Sequence, residues 1–254
     1  MPQQLSDRGI VELFHLTLVR LLAAGPDKQQ YIVKGGCNLR FFFGSPRYSE
    51  DIDYDTTAEP YVVRDRMKRL LDGTVLAGTL RSRGLTISRV SATKQTETTQ
   101  RWKVGLSAAG RSIELPTKVE LSHRGLSGEW LLESVDAALA HAYQVTPPLA
   151  CHYGAQAAVQ QKIGALALRR EVQARDIFDL DLLLAKTGGT VSADEELMRL
   201  LRPAIERAWA LSYADFQAQV VAYLEPEVAE QYASRDAWEA IQLRVVAALE
   251  GTSR

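Results

Sequence analysis

The stretch Tyr31–Asp55, "YIVKGGCNLRFFFGSPRYSEDIDYD", decides the fold. "YIVK" reads as a short strand, "GG" as a tight turn, "CNLRFFF" as a short helix and "GSPR" as a second turn. "EDIDYD" alternates acid and apolar residues, the period of a strand. Residues two apart on a strand point the same way, so Asp51 and Asp53 lie side by side with Ile52 and Tyr54 opposite. Glu50 belongs to the other face and Asp55 to the strand end, and both are expected to be solvated. Two carboxylates held this close repel, unless a cation lies between them. Mg²⁺, or Mn²⁺ in its place, prefers oxygen ligands and completes its shell with water and substrate phosphates. A D-x-D pair on a strand is therefore a seat for a metal-bound nucleoside triphosphate; the competing reading is an edge strand of alternating charge. Lys34-Gly35-Gly36 sits between strand and helix, where glycine lets backbone N–H groups approach phosphate. The competing reading there is a tight turn without a ligand. Taken together, the glycine turn and the aspartates describe one pocket.

Outward from this stretch, Ser6 caps and Gly25 ends a first helix whose Ile10, Phe14, Leu18 and Leu22 keep helical spacing. Pro60 opens a helix through Leu71. "GLTISRVS", "TTQRWKVGLS" and "RSIELPTKVELS" read as strands, and Ser134 as the cap of a helix over Val135–Tyr143. "VTPPLA" (145–150) is the linker candidate, since paired prolines stop helix and central strand alike. From about Gly154 onward the pattern is helical. The expected organisation is α+β: a nucleotide-binding domain over 1–146 with a mixed sheet, and an all-α domain over 147–254. Aromatic residues 209, 213, 223, 232 and 238 read as core anchors of that helical domain.

The chain has 254 residues, 46% apolar and 24% charged, ordinary for a globular protein. Residues 62–111 carry 11 basic and 3 acidic side chains, whereas residues 171–254 carry 8 and 15. A basic belt of this kind is the footprint of a polyanion binder, although the same charges could scatter over a solvated surface. Cys37 and Cys151 make no disulfide framework. The opening "MPQQLSDRGIVELF" lacks a basic segment followed by an apolar one, and no apolar run reaches the ~18 residues of a membrane span. The expectation is a cytoplasmic protein with no membrane partner. Histidines 15, 123, 141 and 152 lack zinc spacing, and "GLSGEW" lacks a nucleophile elbow, so zinc chemistry and serine hydrolysis are set aside.

Strand-"GG"-helix followed by "SEDIDY" resembles the polymerase-β-like nucleotidyltransferase superfamily. The longer match, "KGGCNLRFFFG…RYSEDIDY", resembles the AbiEii/AbiGii toxin family and the related MenT toxins. Lys34, Gly35, Gly36, Leu39, Arg47, Tyr48, Ser49, Asp51 and Asp53 fit its motif, while Cys37 stands where the family more often has Thr or Ser. The resemblance extends to Lys162, Arg169 and "ARDIFDL" with Asp176 and Asp179. Lys162 and Arg169, seven apart, would share a helical face and meet triphosphate; otherwise Lys162 is a surface lysine and the acids complement a helix dipole.

The resemblance implies metal ligation by Asp51 and Asp53, and catalytic roles for Lys162, Asp176 and Glu120. Glu120, in "PTKVELS", would be a base or second metal ligand, with a strand salt bridge to Lys118 on the same face, or to a neighbour, as its alternative. Lys34, Gly35, Gly36, Arg47, Ser49, Arg169 and Asp179 would bind the nucleotide. The implied activity is transfer from a nucleoside triphosphate, a pyrimidine being favoured, to the 3′ end of tRNA held through the basic region 62–111. The implied partner is a cognate antitoxin. A small-molecule acceptor, and a non-catalytic nucleotide or RNA binder, are the other readings.

Overall fold

The computed structural model describes residues 5–252; Met1–Gln4, part of the stretch read for a targeting signal, lie outside the described residues. Two compact units make up the chain. One comprises the chain up to Phe42, Ser49–Leu126 and Trp130–His152; the other comprises Phe43–Tyr48, Ser127–Glu129 and the chain from Tyr153 onward.

The first unit runs α1 (Asp7–Ala23), β1 (Tyr31–Lys34), α2 (Gly35–Phe42), β2 (Asp51–Thr56), α3 (Pro60–Leu71), α4 (Thr74–Arg81), β3 (Leu85–Gln95), β4 (Thr99–Ala108), β5 (Leu115–Ser122), β6 (Trp130–Ser134), α5 (Ala137–Ala142) and β7 (Leu149–Tyr153). Its sheet has the strand order β3-β4-β5-β2-β1-β7-β6. The sheet is mixed: β2 pairs parallel to β5, β1 parallel to β7, and β1–β2, β3–β4 and β4–β5 antiparallel.

One face of the sheet is the core. Ile52 and Tyr54 of β2, Val119 and Leu121 of β5, and Trp102 and Val104 of β4 are buried there in one cluster with Phe14 and Leu18 of α1 and Val63 and Met67 of α3. Helix α1 is capped by Ser6, whose hydroxyl accepts the Gly9 N–H at 3.1 Å. It is buried on nearly every side from Gly9 to Val19, more than its amphipathic spacing suggests. Its polar residues are accommodated by bonds: Glu12 takes Arg40 Nε and Tyr143 Oη, both at 2.7 Å, and His15 Nε2 meets Thr117 Oγ1 at 2.7 Å.

Four expectations change here. Asp55 is not solvated: it is buried and ion-paired to Lys34 at 2.6 Å, because β2 lies between β1 and β5 and its end is flanked on both sides. Ser134 ends β6 instead of capping a helix. The cap of α5 is Asp136, whose Oδ1 accepts the Leu139 N–H at 2.8 Å. The stretch 145–150 does not divide the units: residues 145–148 join α5 to β7, β7 pairs with β1, and the first unit runs on to His152. The cysteines are both free and buried.

The second unit is helical: α6 (Ala155–Leu168), α7 (Ala174–Lys186), α8 (Glu195–Ala210), α9 (Tyr213–Gln219), α10 (Pro226–Ala229) and α11 (Arg235–Thr252). Trp238 is buried and stacks on Phe216 with ring centroids 4.7 Å apart, an aromatic anchor as expected. Trp209 is the fourth correction, being half exposed: the buried stripe of α8 is Leu197, Leu201, Ala204 and Ala208, and Trp209 falls one position past it. The segment 43–48 is tied in by an antiparallel bridge from Arg47 to Leu224 and a 2.9 Å bond from Tyr48 N–H to the Tyr223 carbonyl. Among the described residues no helix is long and apolar enough to cross a membrane.

Candidate active site

The second face of the sheet carries charge. Register places Asp53 opposite Lys34 on one side and Glu120 on the other, and Glu120 opposite Arg101. One residue pair along, Asp51 stands opposite Lys118. Directly paired residues share a face, so three carboxylates, Asp51, Asp53 and Glu120, gather on adjacent strands. Each lies near a cation. Lys118 Nζ is 2.6 Å from Asp51, and Arg101 holds Glu120 through Nη2 at 2.6 Å and Nε at 2.7 Å. The salt-bridge alternative for Glu120 is thus realised through Arg101, while Lys118 turns to Asp51.

Asp53 is the uncompensated member. Burial, then repulsion by Asp51 and Glu120, push its carboxyl above the usual range, and Lys118 and Lys34 offset this only in part. The turn before it is shaped to its oxygen. Gly35 has φ +65°, a left-handed value that glycine adopts without strain, and a Cβ there would stand 3.1 Å from Asp53 Oδ2. Gly35 and Gly36 form the first turn of α2, so the phosphate-facing glycines belong to the helix itself. A divalent cation fits this donor set: an excess of negative charge at Asp53 and two carboxylates on one face are what Mg²⁺ takes from a protein when water and phosphate supply its other ligands. Among the described residues no group of three His, Cys, Asp or Glu side chains is arranged to hold a metal by itself.

Behind the carboxylates lies a bonded layer that no sequence spacing reveals. Ser49 Oγ donates to the Asp51 carbonyl at 2.7 Å, and Cys37 Sγ donates to the same oxygen at 3.4 Å. Thr117 Oγ1 donates to the Glu50 carbonyl at 2.8 Å and therefore accepts from His15 Nε2. His15 Nδ1 lies 3.6 Å from Cys37 Sγ. Burial lowers the His15 pKa to about 3, so the ring is neutral and serves as a fixed hydrogen-bonding spacer. Burial, then the nearby Asp53 charge, raise the Cys37 thiol well above its usual value, which keeps it a thiol. Cys37 and Ser49 thus hold the start of β2 by its backbone.

The helical unit assembles its own cluster. Lys162 Nζ lies 3.0 Å from Asp176 Oδ1 and 2.5 Å from Asp179 Oδ2. Arg47 Nη2 reaches Asp179 Oδ2 at 3.0 Å and Oδ1 at 3.2 Å. Asp176 and Asp179 are fully buried, and Lys162 and Arg47 nearly so. Burial would raise Asp179, but Arg47 and Lys162 outweigh it and hold the carboxyl below the usual range. Arg169 Nη1 lies 3.1 Å from Asp176 Oδ2 yet out of line, so that buried oxygen has an ion contact and no hydrogen bond. Lys162 and Arg169 do not share a helical face: α6 stops at Leu168, and Arg169 is an extended capping residue.

The site residues named from sequence thus fall into two sets. The sheet brings together Lys34, Gly35, Gly36, Ser49, Asp51, Asp53 and Glu120; the helical unit brings together Arg47, Lys162, Arg169, Asp176 and Asp179. Arg101 and Lys103 were missed. Their signal was present in period-two alternation, but pairing partners come from register, which alternation alone does not supply.

A family model described as "Nucleotidyl transferase AbiEii toxin, Type IV TA system" matches residues 17–250. No curated protein matches the chain. Among solved structures, an H. pylori protein described as a nucleotidyltransferase is similar at 21% identity and a TM-score of 0.62, over 98% of this chain and 96% of that one. JHP933 from Helicobacter pylori is similar at 21% identity and a TM-score of 0.57, over 98% and 97%. At this identity the likeness speaks to the fold, the mixed sheet followed by a helical region.

Proposed function

Because this chain belongs to the AbiEii nucleotidyl transferase toxin family of type IV toxin–antitoxin systems, we propose that it transfers a nucleoside monophosphate from a nucleoside triphosphate to the 3′ end of tRNA, and so blocks translation. Family membership carries the coarser statement, a nucleotidyltransferase toxin with an antitoxin partner. The observation that supports the chemistry is the convergence of Asp51, Asp53 and Glu120 beside the Gly35 turn, with Asp53 held above the usual carboxylate range.

In this reading the 3′ hydroxyl oxygen forms a bond to the α-phosphorus, the bond from that phosphorus to the bridging oxygen breaks, and pyrophosphate leaves with the bridging electron pair. Asp51 and Asp53 would hold Mg²⁺, which when bound supplies Lewis-acid neutralisation of the triphosphate charge. The N–H groups of the first turn of α2 face phosphate oxygens. Glu120, its charge anchored by Arg101, accepts the hydroxyl proton. The net positive charge of 62–111 steers the tRNA toward the first unit.

The test is incubation of the full chain with total RNA, Mg²⁺ and each α-³²P-labelled triphosphate in turn. A label on tRNA-sized RNA that disappears with Asp53→Asn is the expected result. A label on a small-molecule acceptor and none on RNA would overturn the reading.

A further inference from the structure

The residues of the basic region do not form one surface. Arg64, Arg66, Lys68 and Arg69 lie on α3, the helix that packs on the core face, and Arg66, Arg89, Arg101 and Arg111 have acidic partners in Asp27, Glu114, Glu120 and Asp7. On the charged face of the sheet, cations with and without acidic partners stand in an unusual register. Lys103 on β4 stands directly opposite Lys118 on β5, and Lys94 on β3 directly opposite Arg101 on β4. The alternating neighbours Trp102 and Val104 are buried in the core, which fixes Arg101 and Lys103 on the face of Glu120 and Asp51.

Like charges in directly paired positions destabilise a sheet. Two such pairs side by side, across three strands, oppose the fold's own stability, and only Glu120 and Asp51 offset them. Lys103 is exposed, and among the described residues neither it nor Lys94 has an acidic partner. Such an arrangement is neutralised from outside, by an anion. The cations extend over two strand spacings, ~10 Å, more than one phosphate group covers. They also lead from the carboxylates to β3, an edge strand whose Ser88–Thr93 are all exposed.

We infer that Lys94, Arg101, Lys103 and Lys118 form a subsite for the phosphodiester backbone of a polynucleotide acceptor, running from Asp51 toward the β3 edge. This rests on the nucleic-acid acceptor proposed above and specifies where its backbone lies. Lys118 leaves Asp51 for phosphate when the carboxylate's charge is met otherwise, and Lys103 then shares that phosphate instead of repelling Lys118.

The test uses the full chain carrying Asp53→Asn, so that binding is read without turnover. Anisotropy of a fluorescein-labelled 12-nucleotide RNA is followed over a KCl series, with and without Lys103→Gln, and with Lys94→Gln added. Each lost contact should lower the slope of log affinity against log salt by about 0.7. Calorimetry with a non-hydrolysable nucleoside triphosphate forms the second arm, and Lys103→Gln should leave that affinity unchanged. An unchanged RNA slope, or no RNA binding at low salt, overturns the inference. So does a loss confined to the triphosphate, which would assign the cations to the nucleotide's own phosphates. RNA labelling by the unsubstituted chain is scored separately: a slope that falls as expected while no RNA is labelled keeps the subsite and removes the proposed reaction.

Discussion

The two charged clusters of this chain are built from the same residue types and behave oppositely. In the helical unit Asp179 is enclosed by Arg47 and Lys162, and its carboxyl is held below the usual range. On the sheet, Asp53 is crowded by Asp51 and Glu120, and its carboxyl is pushed above that range. In the first cluster each carboxylate meets two cations; the second carries charge that its own cations do not cancel. Buried acids paired within the fold contribute to its integrity, whereas carboxylates left under-compensated beside a glycine turn are poised for something the chain does not contain.

The comparison can be broken by substitution. The largest effect is expected from Asp53→Asn, which should cut nucleotidyl transfer more than about 100-fold while raising the melting temperature at neutral pH without added metal. The sign follows from linkage: a carboxyl raised in the fold destabilises it when ionised, fully so above its folded pKa. The gain should therefore shrink as pH falls through that value toward the ordinary ~3.9. A lower melting temperature would show that Asp53 is as well satisfied as Asp179.

Asp179→Ala should do the reverse, costing about 3–5 kcal/mol in denaturant unfolding, because it leaves Arg47 and Lys162 buried with one partner fewer. That cost should be full above the ordinary carboxylate pKa and fade as pH falls through the lowered folded value. A cost under about 1 kcal/mol would place the cluster with ordinary surface pairs. The smallest effect is expected from Gly35→Ala. It should destabilise by about 1–2 kcal/mol for a left-handed alanine, and lower transfer beyond what unfolding explains, since the new Cβ presses on Asp53 Oδ2. Activity per folded molecule equal to that of the unsubstituted chain would remove the glycine from the site.

Much of this was legible in sequence. The capped first helix, the strand–glycine–helix unit, the Pro60 helix and the helical second half all rest on local signals and stand where those signals put them. Strands β6 and β7 were not legible, since five-residue segments carry little periodicity of their own. Asp55 was misjudged for a related reason: its burial depends on strands on both flanks, not on its place in the run. The roles of His15 and Thr117, which meet across 102 positions, could not have been read from spacing.

The sequence by itself determined that Asp51 and Asp53 share a face and that a glycine turn follows the first strand, because alternation and φ preference are properties of neighbouring residues. Only the tertiary structure decided that Glu120 stands beside Asp53, that Lys34 is committed to Asp55, and that Lys103 faces Lys118. Those are matters of strand order and register, set by which apolar faces pack together, and a shift of one residue would have turned every one of these charges to the other side.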